Sequence, residues 1–126
     1  MYQVHKILFI LLVAFFLNGC EIKTIEQKNI DLVKESLFIE NIKVNDLARD
    51  LVAIDGQIAW KSFISKSDQH IVELEIKRKI KSKNKMIRMQ WKVNPLTKYV
   101  ELSYCEYDGK PTSRFIFLMQ IIEWAL

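Results

Sequence analysis

The chain has 126 residues, half of them apolar, with only three glycines and two prolines; this is the composition of a globular domain and excludes a disordered tail, and the length allows one core but not two. A formal charge of +4 comes from 19 cations against 15 acids, and two cysteines are too few for a disulfide framework.

Met1 to His5 is short and mostly polar, Lys6 adds a positive charge, and Ile7 to Leu17 is an unbroken apolar run closed by Asn18-Gly19-Cys20. That is the layout of a secretory signal. Its eleven apolar residues fall well short of the ~20 needed to span ~30 Å of hydrocarbon. The closing Leu17-Asn18-Gly19-Cys20 resembles the lipobox of bacterial lipoproteins, although Asn18 departs from the small or apolar residue usual before the glycine. The resemblance implies cleavage between Gly19 and Cys20 and acylation of the Cys20 sulfur by palmitate-like chains. It also implies a periplasm-facing place in the outer membrane of a two-membrane cell, because Glu21 and not aspartate follows the cysteine. Two or more acyl chains make such an anchor persistent. The other readings of this stretch are an uncleaved signal anchor and an ordinary signal in which Cys20 is incidental.

Residues 20–29 then read as the lipidated cysteine and a polar tether, and residues 30–126 as a single α+β domain. Ile30, Val33 and Leu37 have helical spacing, while Leu37-Phe38-Ile39 reads equally well as extended chain. Asn41 or Asn45 is placed to cap a helix whose apolar face is Val44, Leu47, Ala48, Leu51 and Val52, stopped at Asp55-Gly56. Four strands follow, over 58–65, 70–80, 87–93 and 99–107. Val72, Leu74, Ile76 and Ile80 alternate with charged residues, with Arg78 alone breaking the inner row. Ile87, Met89, Trp91 and Val93 continue that face, and Val100, Leu102 and Tyr104 are expected inward with Cys105 outward. Pairing Val93 with Val100 sets Trp91 opposite Leu102 and Lys92 opposite Glu101. After the Asp108-Gly109-Lys110-Pro111 turn, Thr112 or Ser113 caps a helix to the end of the chain. Ser113, Gln120 and Glu123 form its polar stripe, so Phe115, Leu118, Met119, Ile122 and Leu126 are expected against the sheet. The expected fold is α+β: a four-stranded antiparallel meander packed against an N-terminal and a C-terminal helix.

Catalytic chemistry is hard to assemble from these residues. His70 is the one histidine beyond the signal, at a turn-to-strand boundary, and no partner at metal-ligand spacing accompanies it. Glu73 and Glu75 share one strand face with cations and read as a solvated surface. The serines lack a nucleophile-elbow context, and three glycines cannot build a phosphate-cradling loop. Neither an enzyme nor a cofactor or metal is expected. If Cys20 stays unmodified, a Cys20–Cys105 bridge is open; if it is acylated, Cys105 has no partner.

Two surfaces are candidates for binding. Lys77, Lys79, Lys81, Lys83, Lys85, Arg88 and Lys92, with Arg78 among them, put eight cations and no acid into sixteen residues, a site for anionic lipid, acidic cell-wall polymer or an acidic protein. Nucleic acid is excluded by export. Alternatively these lysines guard a sheet edge. Ile116, Phe117 and Trp124, close to the polar stripe of the last helix, form a candidate apolar surface for a protein partner.

Val33-Lys34, Ile58-Ala59-Trp60-Lys61, Glu101-Leu102-Ser103 and Asp108-Gly109-Lys110-Pro111 make the chain similar to small bacterial lipoproteins and secreted α+β domains. The lipidated cysteine, short tether and α/β layout also resemble the small accessory lipoprotein of the outer-membrane β-barrel assembly machine, with no residue carried over. These likenesses imply a lipid-anchored envelope protein that acts by binding, as an accessory part of an envelope assembly. The alternative is an inhibitor, immunity or exclusion lipoprotein that neutralises a toxin, hydrolase, phage or plasmid at the membrane.

Overall fold

The structure, a computed structural model, describes residues 22–125. The expected signal, with Gly19 and Cys20 at its end, and Leu126 at the other end of the chain lie outside the described residues. The elements in order are α1 (Ile25–Glu35), β1 (Leu37–Ile39), β2 (Ile42–Lys43), α2 (Val44–Val52), β3 (Gln57–Ile64), β4 (His70–Ile80), β5 (Lys83–Asn94), β6 (Tyr99–Tyr107), β7 (Lys110–Pro111) and α3 (Arg114–Ala125). The expected α+β class stands, with additions. The meander gains a fifth, two-residue strand at one edge, in the antiparallel order β3-β4-β5-β6-β7, and β1 and β2 form a separate hairpin. Three described helices cover one face of the sheet.

The first helix starts earlier than expected, at Ile25, inside the stretch expected to be extended. Thr24 supplies what the sequence reading overlooked: its hydroxyl accepts the Gln27 N–H at 3.2 Å, a serviceable N-cap that lets the helix start inside a polar stretch. Asn29, fully buried, and Ile30 and Val33 face the core. Leu37 belongs not to this helix but to β1, the extended alternative. Neither Asn41 nor Asn45 caps α2; Lys43 holds the N-cap position without a side-chain bond. Gly56 is obligatory where α2 turns into β3, since a Cβ there would sit 2.2 Å from the Val52 carbonyl oxygen.

Register follows the alternation of the strands. Val93 pairs with Val100, Lys92 with Glu101 and Trp91 with Leu102, as expected. Beyond Trp91 the phase changes: Gln90 faces Tyr104, so Ser103 is one residue too many, and its hydroxyl bonds the Gln90 carbonyl at 3.2 Å. This bulge turns the rest of β6 over. Cys105, expected outward, is 3% exposed in the core, and Tyr104, expected inward, lies on the open face. The hairpin between β4 and β5 turns at Lys81-Ser82 and not at Ser82-Lys83-Asn84, both residues having positive φ (51° and 67°), the geometry in which Asp108-Gly109 makes the last turn.

The core lies between sheet and helices. Val72, Leu74, Ile76, Ile87 and Met89 are fully buried, Trp91 stacks on Trp60 with centroids 6.2 Å apart, and Ala48 and Leu51 pack from α2. The expected face of α3 is overturned except at Leu118, which packs partly buried against the core: Phe117, Ile121 and Trp124 are buried, whereas Phe115 is 73% exposed, Met119 56% and Ile122 53%. Arg78 explains this rotation. From the inner row of β4 its guanidinium donates to the Leu51 carbonyl at 2.8 Å and the Trp124 carbonyl at 3.0 Å, and it lies 5.6 Å from the Trp124 ring centroid. With Trp124 held there, and its indole N–H donating to the Tyr107 hydroxyl at 3.3 Å, Phe117 and Ile121 fall on the same side.

Candidate functional site

Across the open face of the sheet, cross-strand pairing brings acids and cations into one network. Arg88 sits at its centre: one terminal nitrogen donates to both Glu106 carboxylate oxygens at 3.1 Å, the other to Glu75 at 2.8 Å, and its Nε lies 3.5 Å from Glu73. Lys61 approaches Glu73 at 3.2 Å, Gln90 donates to it at 2.8 Å, and Lys77 lies 3.3 Å from Glu75. Tyr104 donates its hydroxyl to Glu106 at 2.9 Å. The Arg88 hydrogen bond holds the Glu75 carboxyl below its usual range, and the same pairing raises Arg88. Tyr104 is pushed up by its bond to Glu106 and then by burial. Glu73 and Glu106 are therefore buried beneath their neighbours, not solvated, and every carboxylate is matched by a cation. Such a network ties four strands together.

The same pairing dissolves part of the basic cluster. Lys77 and Arg88 belong to the network and Lys85 lies 3.1 Å from Asp108, whereas Lys92 stands opposite Glu101 in register without an ion pair among the described residues. Their acids lie on neighbouring strands or turns, or, as with Glu75, just before the basic window, so a window read along the chain could not show them. Lys79, Lys81 and Lys83, at the hairpin tip, make no ion pair among the described residues. A cleft of about 420 Å³ lies beside this tip, lined by Asp55, Lys77, Arg78 and Lys79 among others.

The apolar surface is also relocated. Phe117 and Trp124 are core residues, and of the three expected partner contacts only Ile116, 52% exposed, is on the surface. Opposite the buried stripe, Phe115, Met119 and Ile122 form a second one at spacings of four and three residues. Helical periodicity alone could not choose between the two stripes, because both satisfy it.

His70 faces the helices. Its Nδ1 lies 3.3 Å from the Asn29 side-chain nitrogen, which fits a core-facing histidine on a helix contact. No group of three or more His, Cys, Asp or Glu side chains among the described residues is arranged to hold a metal ion. Cys105 is a free, buried thiol whose pKa burial pushes up. No described helix is long and apolar enough to cross a membrane. The chain matches no family model, no curated protein and no solved structure.

Proposed function

We propose that this chain is a lipid-anchored cell-envelope protein that acts by binding another envelope protein through the outward stripe of α3. The anchor is Cys20, after cleavage at Gly19, and the location is the periplasmic side of the outer membrane where two membranes are present. The observation that carries the binding role is the pair of opposed apolar stripes on α3. One completes the core; the other, Phe115, Met119 and Ile122 with Ile116 beside it, leaves four large apolar side chains in water within about two turns. Surfaces of this kind mark interaction sites, and apolar anchors at these spacings suit a helix laid into an apolar groove.

The test is a photocrosslinking residue at Met119 in the native cell, with one at Asp50, exposed on α2, as control. Adducts with an envelope protein from Met119 alone, lost on Phe115→Asp, are the expected result. Absence of adducts in every cell fraction would sink the reading. For the anchor, Cys20→Ser should abolish acyl labelling and leave the precursor uncleaved, while the domain still folds because its first core residue is Asn29.

A further inference from the structure

The start of α1 has a consequence for orientation. Between Cys20 and the N-cap Thr24 stand only Glu21, Ile22 and Lys23, so an acylated Cys20 lies within ~14 Å of the domain, at ~3.3–3.6 Å per extended residue. The point of attachment is therefore held within that reach of the N-terminal end of α1. Lys23, Ile25 and Lys28 of the entering chain line a common concavity with Pro95, Leu96 and Lys98 of the β5–β6 turn. The β3–β4 turn is at this same end, because His70, at the start of β4, pairs with Val93. Here the tips are apolar and open to solvent: Leu96 is 92% exposed, Ile22 86%, Ile64 57% and Ile25 47%.

We infer that this end of the domain, Ile22, Ile25, Ile64 and Leu96 with Lys28, Lys66 and Lys98 around them, seats on the lipid head-group layer and holds the domain upright on the membrane. The inference rests on the lipid anchor proposed above. A bilayer is the occupant because the leash admits nothing of protein size between this end and the surface, and because apolar tips among lysines suit the head-group boundary, where the lysine stems lie along apolar surface and their ammonium groups reach phosphate. Around this end Lys23, Lys28, Lys66 and Lys98 stand with Glu26, Asp31, Glu35 and Asp68, of which Asp31 is paired to Lys23 and Glu35 to Lys43, each at 2.7 Å. The stripe of α3 is bordered instead by Glu123, with Arg114 engaged at the Leu102 carbonyl, and is less suited to anionic lipid. Upright seating carries the Lys81-Ser82 tip away along β4, whose eleven residues at ~3.3 Å each extend about 35 Å. The basic tip then faces cell wall or a partner, not the lipid to which its own protein is anchored.

The experiment uses the full-length, acylated protein in vesicles of phosphatidylethanolamine and phosphatidylglycerol, with an environment-sensitive fluorophore at Leu96→Cys, Met119→Cys or Lys81→Cys and quenchers carried on the lipid. The parent protein controls for labelling at Cys105. Leu96→Cys should lose most of its emission, and Lys81→Cys and Met119→Cys should keep theirs. A Gly/Ser insert of about ten residues before Thr24 separates seating from mere tethering: the loss at Leu96 persists if the end itself holds lipid. Loss at Met119 would mean that the domain lies on its helices and would overturn the inference, as would equal loss at all three positions or a loss at Leu96 that disappears with the insert. Intact mass reports separately on the anchor, since a chain without acyl groups removes both readings, whereas an acylated chain with the wrong quenching pattern removes only this one.

Discussion

Arg88 is the residue on which the open face depends. It keeps 29% of its side chain in solvent, so Arg88→Met should cost about 3 kcal/mol, the lower end of what removing one partner of a buried pair costs. The loss should itself depend on pH. In the native protein Glu75 titrates below its unfolded value, so its contribution is intact above the ordinary glutamate range near about 4.3 and is lost as pH falls through the lower, folded value. Without Arg88 the largest cause of that lowering is gone, so the gap between Arg88→Met and the native protein should narrow as pH falls through the folded value of Glu75 in denaturant melts. A gap that stays constant as the pH is taken from neutral to well below the ordinary glutamate range would mean that the Arg88–Glu75 pair carries no charge energy. In the core, Trp91→Ala should cost ~3–5 kcal/mol, measured the same way, since Trp91 is 3% exposed and stacked on Trp60.

At the scale of elements, what the sequence revealed and what it hid divide along a physical line. Aromatic and branched composition placed β3, and period-two alternation placed β4 to β6 with the facing pairs Trp91 with Leu102 and Lys92 with Glu101, because those strands have one mostly apolar and one mostly polar side. That rule assumes an unbroken ladder. Nothing in Glu101-Leu102-Ser103-Tyr104 announces the extra residue that puts Cys105 inside, since the cause is how β5 and β6 meet. The face of α3 was hidden for a different reason: the helix is apolar nearly all round, and its choice of side is made by Arg78, 46 residues away. The candidate sites fared likewise, because paired lysines and buried aromatics are properties of neighbours. Where the turn is concerned, Lys81 and Ser82 both occupy the left-handed region at a cost of about 1 kcal/mol or more each. Ser82→Gly should therefore stabilise by about 1 kcal/mol and raise the melting temperature by about 4 °C. An unchanged melting temperature would place the turn's strain elsewhere.

Taken whole, the molecule separates its cations into those that hold it together and those that do not. Neutralising Lys79, Lys81 and Lys83 together should leave the melting temperature unchanged, while replacing Lys77, Lys85 and Arg88 should lower it; the reverse order would mean that the ion pairs are idle. Arg78 belongs to neither group. One guanidinium closes the last turns of both α2 and α3, whose terminal carbonyls would otherwise lack partners. The two helix ends, 73 residues apart in sequence, are coupled, because release of either leaves a half-buried cation short of an acceptor. Amide hydrogens in those two turns should exchange with deuterium at a common, slow rate, as one cooperative unit. Both carbonyls are reached by the same terminal nitrogen, so Arg78→Met, which removes that donor, should make the two rates part.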